Sequence, residues 1–420
     1  MFNRRISPVF VAGAATLVAA HANAQAATHD RWMATWAPSM SASPPRPPAD
    51  SIDRTPTLVN RTLREIVRVS TGGSRVRLKL SNQYGDRPLV IGSVHVALRK
   101  SGAEIDPGTD RPVTFNGRSS VVIRAGASLV SDGVALALPN LADVAISLFV
   151  ADSARLSTRH ALGLQTNYVS ASGDFTGSAS FAPDTTLQIW PFLAGIDVVN
   201  PAVTGVIVAF GNSITDGVGS KADSNSRWPD VLERRLLASK EPLKAIVNAG
   251  ISGNRVLSPG AGPSALERFD RDVLMQPGVT HVIVLEGIND INGGTYGGGT
   301  GAPNPRNEVS ADELIAGHQQ LIDRAHERGI VIFGATLTPE GGMRGASAAR
   351  DAKRIALNNW IRTSGAYDGV IDFDKLTRDP SDTTRFLPAY DSGDHLHPSG
   401  AGYVTMAGGI DLALFRKTPR

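Results

Sequence analysis

The sequence predicts an all-β domain over residues 28–199 followed by an α/β domain over 202–420, the second built on a parallel sheet. Two observations carry this. Before Asn200-Pro201, apolar residues recur at every second position between turn signals; after it, short apolar runs alternate with stretches of helical period. A third observation places a site. The run Val206–Phe210 reads as a buried strand and is followed at once by Gly211-Asn212-Ser213-Ile214-Thr215-Asp216-Gly217. A serine there stands at the rim of a sheet, exposed yet held.

The elements follow in order. Arg4-Arg5, a mostly apolar stretch from Ile6 to Ala20, and Ala22-Asn23-Ala24 have the charged, apolar, small-x-small order of a secretory signal peptide. We therefore expect residues 1–24 to be removed and the protein exported, periplasmic or extracellular. The stretch is short and broken by Ser7, Pro8 and His21, against a stable membrane anchor. The twin arginine alone does not separate the Sec from the Tat route. Pro44-Pro45-Arg46-Pro47-Pro48 reads as an extended polyproline stretch or loop.

Val76, Leu78 and Leu80 then alternate with Arg75, Arg77 and Lys79. Val94/Val96/Leu98, Val134/Leu136/Leu138 and Val144/Ile146/Leu148/Val150 repeat that period of two. Several short strands with one apolar face suggest a β-sandwich of jelly-roll type. In the second half the strand candidates are 206–210, 245–248, 281–285, 331–335 and 370–372. Helix candidates are 228–238, 265–274, 311–328 and 346–363, with a last one after Gly400. Alternating β and α implies a parallel sheet with helices on both faces, whose sites lie at the carboxyl ends of strands.

Composition excludes several classes. The 420 residues are 41% apolar and carry a formal charge of +3, with positive and negative groups interspersed. No Lys/Arg block of the kind that grips phosphates occurs, so no nucleic-acid partner is expected. There is no cysteine, which removes disulfides, thiolate metal sites and cysteine nucleophiles together. The Gly-rich stretch Asn292–Pro305 lacks Gly-Lys-Ser/Thr and is no phosphate cradle; it is either the rim of a site or an insertion.

A serine nucleophile needs a base, and the base an orienting carboxylate. Both occur in Asp394-His395-Leu396-His397-Pro398, where the i, i+3 spacing of Asp394 and His397 puts their side chains on one side of a turn. Acyl transfer also needs donors for a developing oxyanion. Asn248–Asn254 follows one strand and its glycines let a backbone N–H point inward; Gly287-Ile288-Asn289-Asp290 follows the next and offers a side-chain amide. No Gly-x-Ser-x-Gly occurs, against the nucleophile elbow of the α/β-hydrolases.

These four blocks, in chain order Gly211–Gly217 (block one), Asn248–Asn254 (block two), Gly287–Asp290 (block three) and Asp394–Pro398, resemble the SGNH/GDSL hydrolase family over roughly residues 202–420. The resemblance implies a flavodoxin-like three-layer α/β/α domain with a parallel sheet. It implies Ser213 as nucleophile, His397 as general base and acid, and Asp394 as its orienter. It implies the Ser213 N–H, the Gly253 N–H and the Asn289 amide as oxyanion hole, with no metal and no cofactor. The family name spells Gly-Asp-Ser-Leu where this chain has Gly-Asn-Ser-Ile, so Asn212 carries no charge beside the nucleophile. Family relatives with an added β-domain suggest short acyl, notably acetyl, esters on polysaccharide. A broad carboxylesterase, arylesterase or lipase is the alternative.

Other residues have plainer readings. His395 with His397 and Asp391 or Asp394 could contact a metal, but no further ligand set is evident, and His395 reads as a loop histidine. His318, on the stripe Leu314, Leu321, Ile322, Ala325, reads as a half-buried satisfied histidine. Trp228 reads as core, Glu286 as a structural hydrogen-bonding group, and Asp372 and Asp374 as turn or cap residues.

Overall fold

Period-two alternation becomes two antiparallel sheets. In this computed structural model residues 30–43, 57–293 and 308–418 are described, besides Met1. The expected signal peptide after Met1, Pro44–Pro48 and most of Asn292–Pro305 lie outside them. The strands that matter here are β1 (Trp32–Trp36), β2 (Arg61–Arg68), β3 (Gly73–Ser81), β4 (Leu89–Ser101), β5 (Asp143–Val150), β6 (Asn167–Ser172) and β7 (Leu193–Val199). One sheet runs β1–β7–β3 and the other β6–β2–β5–β4. Val76, Leu78 and Leu80 of the first share a buried core with Leu63, Val67, Val144, Ile146 and Leu148 of the second.

Past Val199 the sheet is parallel. Its strands are β8 (Gly205–Gly211), β9 (Lys244–Gly250), β10 (Val279–Leu285), β11 (Val331–Ala335) and β12 (Gly369–Ile371), in the order β9–β8–β10–β11–β12. Every residue of β8 is buried, the near-continuous apolar signature of a strand covered on both faces. The chain steps from β8 to β9 on one side and then builds β10 to β12 on the other. The reversal between β8 and β10 opens a crevice at their carboxyl ends, and Ser213 follows β8 there.

Among the helices that pack on this half are α1 (Trp228–Ala238), α2 (Ala265–Phe269), α3 (Ala311–Glu327), α4 (Ala348–Thr363) and α5 (Gly400–Gly408). Ser310 and Glu313 close a capping box on α3, and Ser347 caps α4, which therefore begins two residues later than its apolar pattern suggests. The helix expected over 265–274 is α-helical only to Phe269; Asp270–Leu274 is a π-helical turn. The widened turn carries Arg271, which donates to the Tyr84 hydroxyl (2.7 Å), the Gln83 side chain (3.1 Å) and the Met40 carbonyl (3.1 Å). Apolar periodicity does not register a one-residue widening made for a polar contact.

Residues from Arg31 onward belong to one compact unit. The change at Asn200-Pro201 is a change of secondary structure, and packing runs across it. β1 pairs with β7, yet its Met33 and Ala34 lie in the core of the parallel half. The Ala34 N–H donates to the Pro277 carbonyl at 2.9 Å, and the Ile246 N–H donates to the Ser70 hydroxyl at 3.1 Å. Met33 is fully buried against Gly278 and so closely that a Cβ there would come within 2.5 Å of the Met33 methyl.

Removing that wedge should loosen both halves. Met33→Ala is expected to destabilise the protein by about 2–5 kcal/mol, the usual range for a buried methionine truncated to alanine. Urea denaturation followed by tryptophan fluorescence and helical circular dichroism reads it. An unchanged midpoint would show that β1 is not part of the second core.

Candidate active site

The site is built on the loops that leave β8, β9 and β10. Asn212 caps the helical turn Ser213–Asp216, its side chain accepting from the Ile214 N–H at 3.1 Å. The uncharged residue of block one thus has a local structural role. The turn lies hard across the end of β9: a Cβ on Gly250 would sit 2.4 Å from the Asp216 nitrogen, so only glycine lets the two segments approach.

Ser213 and His397, 184 positions apart, are joined by one hydrogen bond, 2.8 Å from the Ser213 Oγ to the His397 Nε2. On the other side of the ring, Nδ1 lies 2.6 Å from Asp394 Oδ2. The second carboxylate oxygen accepts the N–H groups of Leu396 (2.9 Å) and His397 (2.8 Å) and the Ser392 hydroxyl (3.0 Å). Partial burial would raise the Asp394 pKa, but bonds from the His397 ring and from these N–H groups outweigh it and hold the carboxyl well below the usual carboxylate range. Ser213 and His397 are each 6% exposed, whereas the Asp394 side chain is 43% exposed. Serine and imidazole are therefore enclosed and the carboxylate edge is open.

The two donor segments converge beside them. Gly253 adopts φ +79°, a left-handed conformation that glycine takes without strain. The Asn289 amide donates to the Asn254 carbonyl at 2.9 Å, which ties block three to block two and uses one of its two N–H donors. The Asp290 carboxyl accepts the N–H groups of Val256 (2.8 Å) and Leu257 (3.0 Å), a further tie between the same segments. Burial pushes Asp290 up to about 6 against the pull of those bonds.

His395 does not join this group. Its backbone is left-handed (φ 63°) and its ring lies 2.5 Å from Asp391. Among the described residues no cluster of three or more His, Asp or Glu could hold a metal ion. His318 is fully buried rather than half-buried. Its Nδ1 lies 2.6 Å from the Tyr367 hydroxyl, and burial pulls it down to about 4, so it is neutral near pH 7. Trp228 packs on Phe373 in the core, with ring centroids 5.4 Å apart. Asp372 caps the short helix Phe373–Thr377, and Asp374 pairs with Arg354 (2.7 Å) and Arg362 (2.6 Å).

The residue that sequence reading missed is Arg268. Fully buried on α2, it donates to the Gly211 carbonyl (2.9 Å), the Ala249 carbonyl (2.7 Å) and the Asn254 side chain (2.8 Å), with its guanidinium 4.0 Å over the Phe210 ring. It also lies 3.2 Å from both Asp272 and Glu286. In sequence it is one arginine of a short amphipathic helix, indistinguishable from a solvated one. The only signal was the carboxylate of Glu286 ending a buried strand. Burial pushes Glu286 up to about 8, opposed by Arg268, and one of its carboxyl oxygens has no hydrogen-bond partner.

Residues 209–404 match the model of the family described as GDSL-like Lipase/Acylhydrolase. No curated protein matches the chain. Among solved structures, a lipase/acylhydrolase from Enterococcus faecalis is 21% identical and covers 51% of this chain and 98% of its own, with a TM-score of 0.39. A GDSL-like lipase from Bacteroides thetaiotaomicron is 20% identical, covering 51% and 89%, at 0.37. An acetylxylan esterase from Geobacillus stearothermophilus is 21% identical, covering 50% and 93%, at 0.38. At such identities and scores these likenesses bear on no substrate.

The buried Glu286 has a pH consequence. Its folded pKa lies above the unfolded value near 4.5, so its favourable contribution is fully present below that value and is lost as pH rises through about 8. Glu286→Gln keeps the shape and the acceptor for Arg268 but does not ionise. It is expected to gain stability on wild type as pH rises from 6 to about 9, read as urea midpoint against pH. Parallel curves for the two proteins would refute the assignment.

Proposed function

Since residues 209–404 are a domain of the GDSL-like lipase/acylhydrolase family and the chain is a carboxylic ester hydrolase, we propose that Ser213, His397 and Asp394 perform the hydrolysis through an acyl-enzyme. The observation that carries this reading is the unbroken series of hydrogen bonds from Ser213 Oγ through the His397 ring to Asp394. The Ser213 oxygen attacks the ester carbonyl while His397 Nε2 takes its proton. Asp394 accepts the Nδ1–H, fixing the tautomer that leaves Nε2 free to accept and stabilising the imidazolium that forms. The oxyanion is held by the N–H groups of Ser213 and Gly253 and by the Asn289 amide. Collapse breaks the bond to the alkoxide, which takes the proton from His397 and leaves as alcohol. Water then attacks the acyl-serine, giving its proton to His397; the acid departs and Ser213 recovers its hydrogen.

We infer that the substrate is a short acyl ester, acetyl foremost, of a carbohydrate. A groove of about 450 Å³ opens beside the loop that leaves β11, at the same edge of the sheet as Ser213. Its lining mixes Glu340, Asp351, Asp382 and Arg385 with Ala346, Ala348, Ala352 and Ile355, which offers polar groups to a carbohydrate's hydroxyls beside apolar ones for a short acyl chain. Export, with loss of residues 1–24, belongs to the same proposal and is supported by the leader-like order of charged, apolar and small residues. So does a sandwich for the N-terminal half, supported by two antiparallel sheets with one core between them, and a flavodoxin-like layering for the C-terminal half, supported by its strand order.

Ser213→Ala is expected to lower kcat on p-nitrophenyl acetate by about 10⁴-fold or more, and a serine-reactive phosphonate should block the wild type. Residual turnover near the wild-type rate would sink the mechanism. Asn289→Ala should cost about 10²–10³ in kcat, the range seen when one oxyanion donor is removed. A series of p-nitrophenyl esters beside acetylated xylan, pectin and xyloglucan tests the substrate class. A preference for long acyl chains, with no acetate released from the polysaccharides, would overturn it.

A further inference from the structure

A residue of the β-rich half reaches into the centre of the hydrolase half. His160 ends the short strand Thr158–His160 and is buried, its ring stacked on Trp190 with centroids 5.5 Å apart. Its Nε2 lies 3.0 Å from Asp216 Oδ1, and its Nδ1 lies 3.0 Å from the Ser39 carbonyl oxygen. Both ring nitrogens thus face oxygen acceptors, an arrangement fully satisfied only when both carry hydrogen. Burial pulls the His160 pKa down, but the Asp216 charge and these hydrogen bonds more than reverse it, and the net shift is upward.

Asp216 is the last residue of the turn that begins at Ser213. Its other carboxylate oxygen accepts both the Ser252 N–H (2.8 Å) and the Ser252 hydroxyl (2.7 Å). Ser252 immediately precedes Gly253. The opposite end of the same loop is held from the β-rich half as well. The Ser39 hydroxyl donates to the Ala249 carbonyl (3.1 Å) and accepts from Arg268 (2.9 Å). Residues 249–253 are therefore gripped at both ends by a pair, Ser39 and His160, that is itself hydrogen-bonded.

We propose that His160 is a positioning residue of the catalytic centre: through Asp216 it fixes Ser252 and hence the direction of the Gly253 N–H, which makes the β-rich half a working part of the oxyanion hole. This rests on the reading that Gly253 is an oxyanion donor. An Asp216 carboxyl that loses the His160 N–H is held, among the described residues, only by Ser252 and can rotate, and Ser252 turns with it. A displacement well under the length of a hydrogen bond at an oxyanion donor is felt in the transition state, where the carbonyl oxygen carries charge, far more than in the bound ester.

The test compares His160→Leu, which keeps apolar packing but removes the donor, with His160→Gln, whose amide can still donate to Asp216. Ser252→Ala, which removes only the hydroxyl at the far end of the relay, is the third variant. Each is assayed on p-nitrophenyl acetate at a temperature where its denaturation curve shows it folded. His160→Leu is expected to lose about 10- to 100-fold in kcat with KM little changed. His160→Gln should recover most of that loss, and Ser252→Ala should lower kcat at least about threefold, again with KM held. The rate at which a phosphonate modifies Ser213 should fall in parallel. A folded His160→Leu with wild-type kcat, a His160→Gln no better than His160→Leu, or a rise confined to KM would each overturn the proposal. Should His160→Leu not fold, an unchanged kcat in Ser252→Ala would do so. Loss of turnover in Ser213→Ala alongside inert His160 variants refutes this inference alone, whereas an active Ser213→Ala refutes the catalytic reading on which it stands.

Discussion

One buried cation gathers the carboxyl ends of three strands. Arg268 is fully buried, and its five N–H groups are shared among six acceptors: the carbonyl ending β8, a carbonyl of β9, the Asn254 side chain, the Ser39 hydroxyl, and the carboxyls of Asp272 and Glu286. Carbonyls at a sheet edge would otherwise need water or a helix cap. Meeting them with a single planar guanidinium fixes how far apart the loops can lie, because the donor directions of arginine are fixed. The cost of desolvating the cation is set against Asp272, whose carboxyl the neighbouring Arg268 and Arg271 hold low despite complete burial. The turn that begins at Ser213 and the segments around Gly253 and Asn289 hang from this arrangement.

Much of this frame can be read in the residues. The five short apolar runs at 206–210, 245–248, 281–285, 331–335 and 370–372 give the parallel strands nearly to their ends, because a strand buried on both faces admits few polar residues. Ser213 lies just past such a run. The short spacing of Asp394 and His397 makes their contact a local matter. What could not be read is long-range and polar. Arg268 and Asp290 bind loops that follow other strands, and nothing in their own segments sets them apart from surface residues. His318 was placed too near the surface because helical periodicity gives a direction but no depth; Tyr367, 49 residues on, supplies the partner that allows complete burial.

The boundary at Asn200-Pro201 shows a related limit. Periodicity changes there abruptly, and the eye divides the chain at that point. Yet Met33 packs in the second core, Arg271 bonds to Tyr84, and Ser70 accepts from a strand of the parallel sheet. Pattern reports secondary structure, and secondary structure is silent on which surfaces meet. The β-rich half supplies buried polar groups, among them Ser39, Ser70 and His160, to the half built on the parallel sheet.

The position of β1 also bears on how the chain reaches its native state. Residues 32–36 pair with 196–199 across the ladder, and Ala34 donates to the Pro277 carbonyl. Contacts so far apart close very large loops, and the entropy of closing them is spent before any packing rewards it. β1 is therefore expected to dock late and refolding from denaturant to be slow, with early species that leave this apolar strand unpaired.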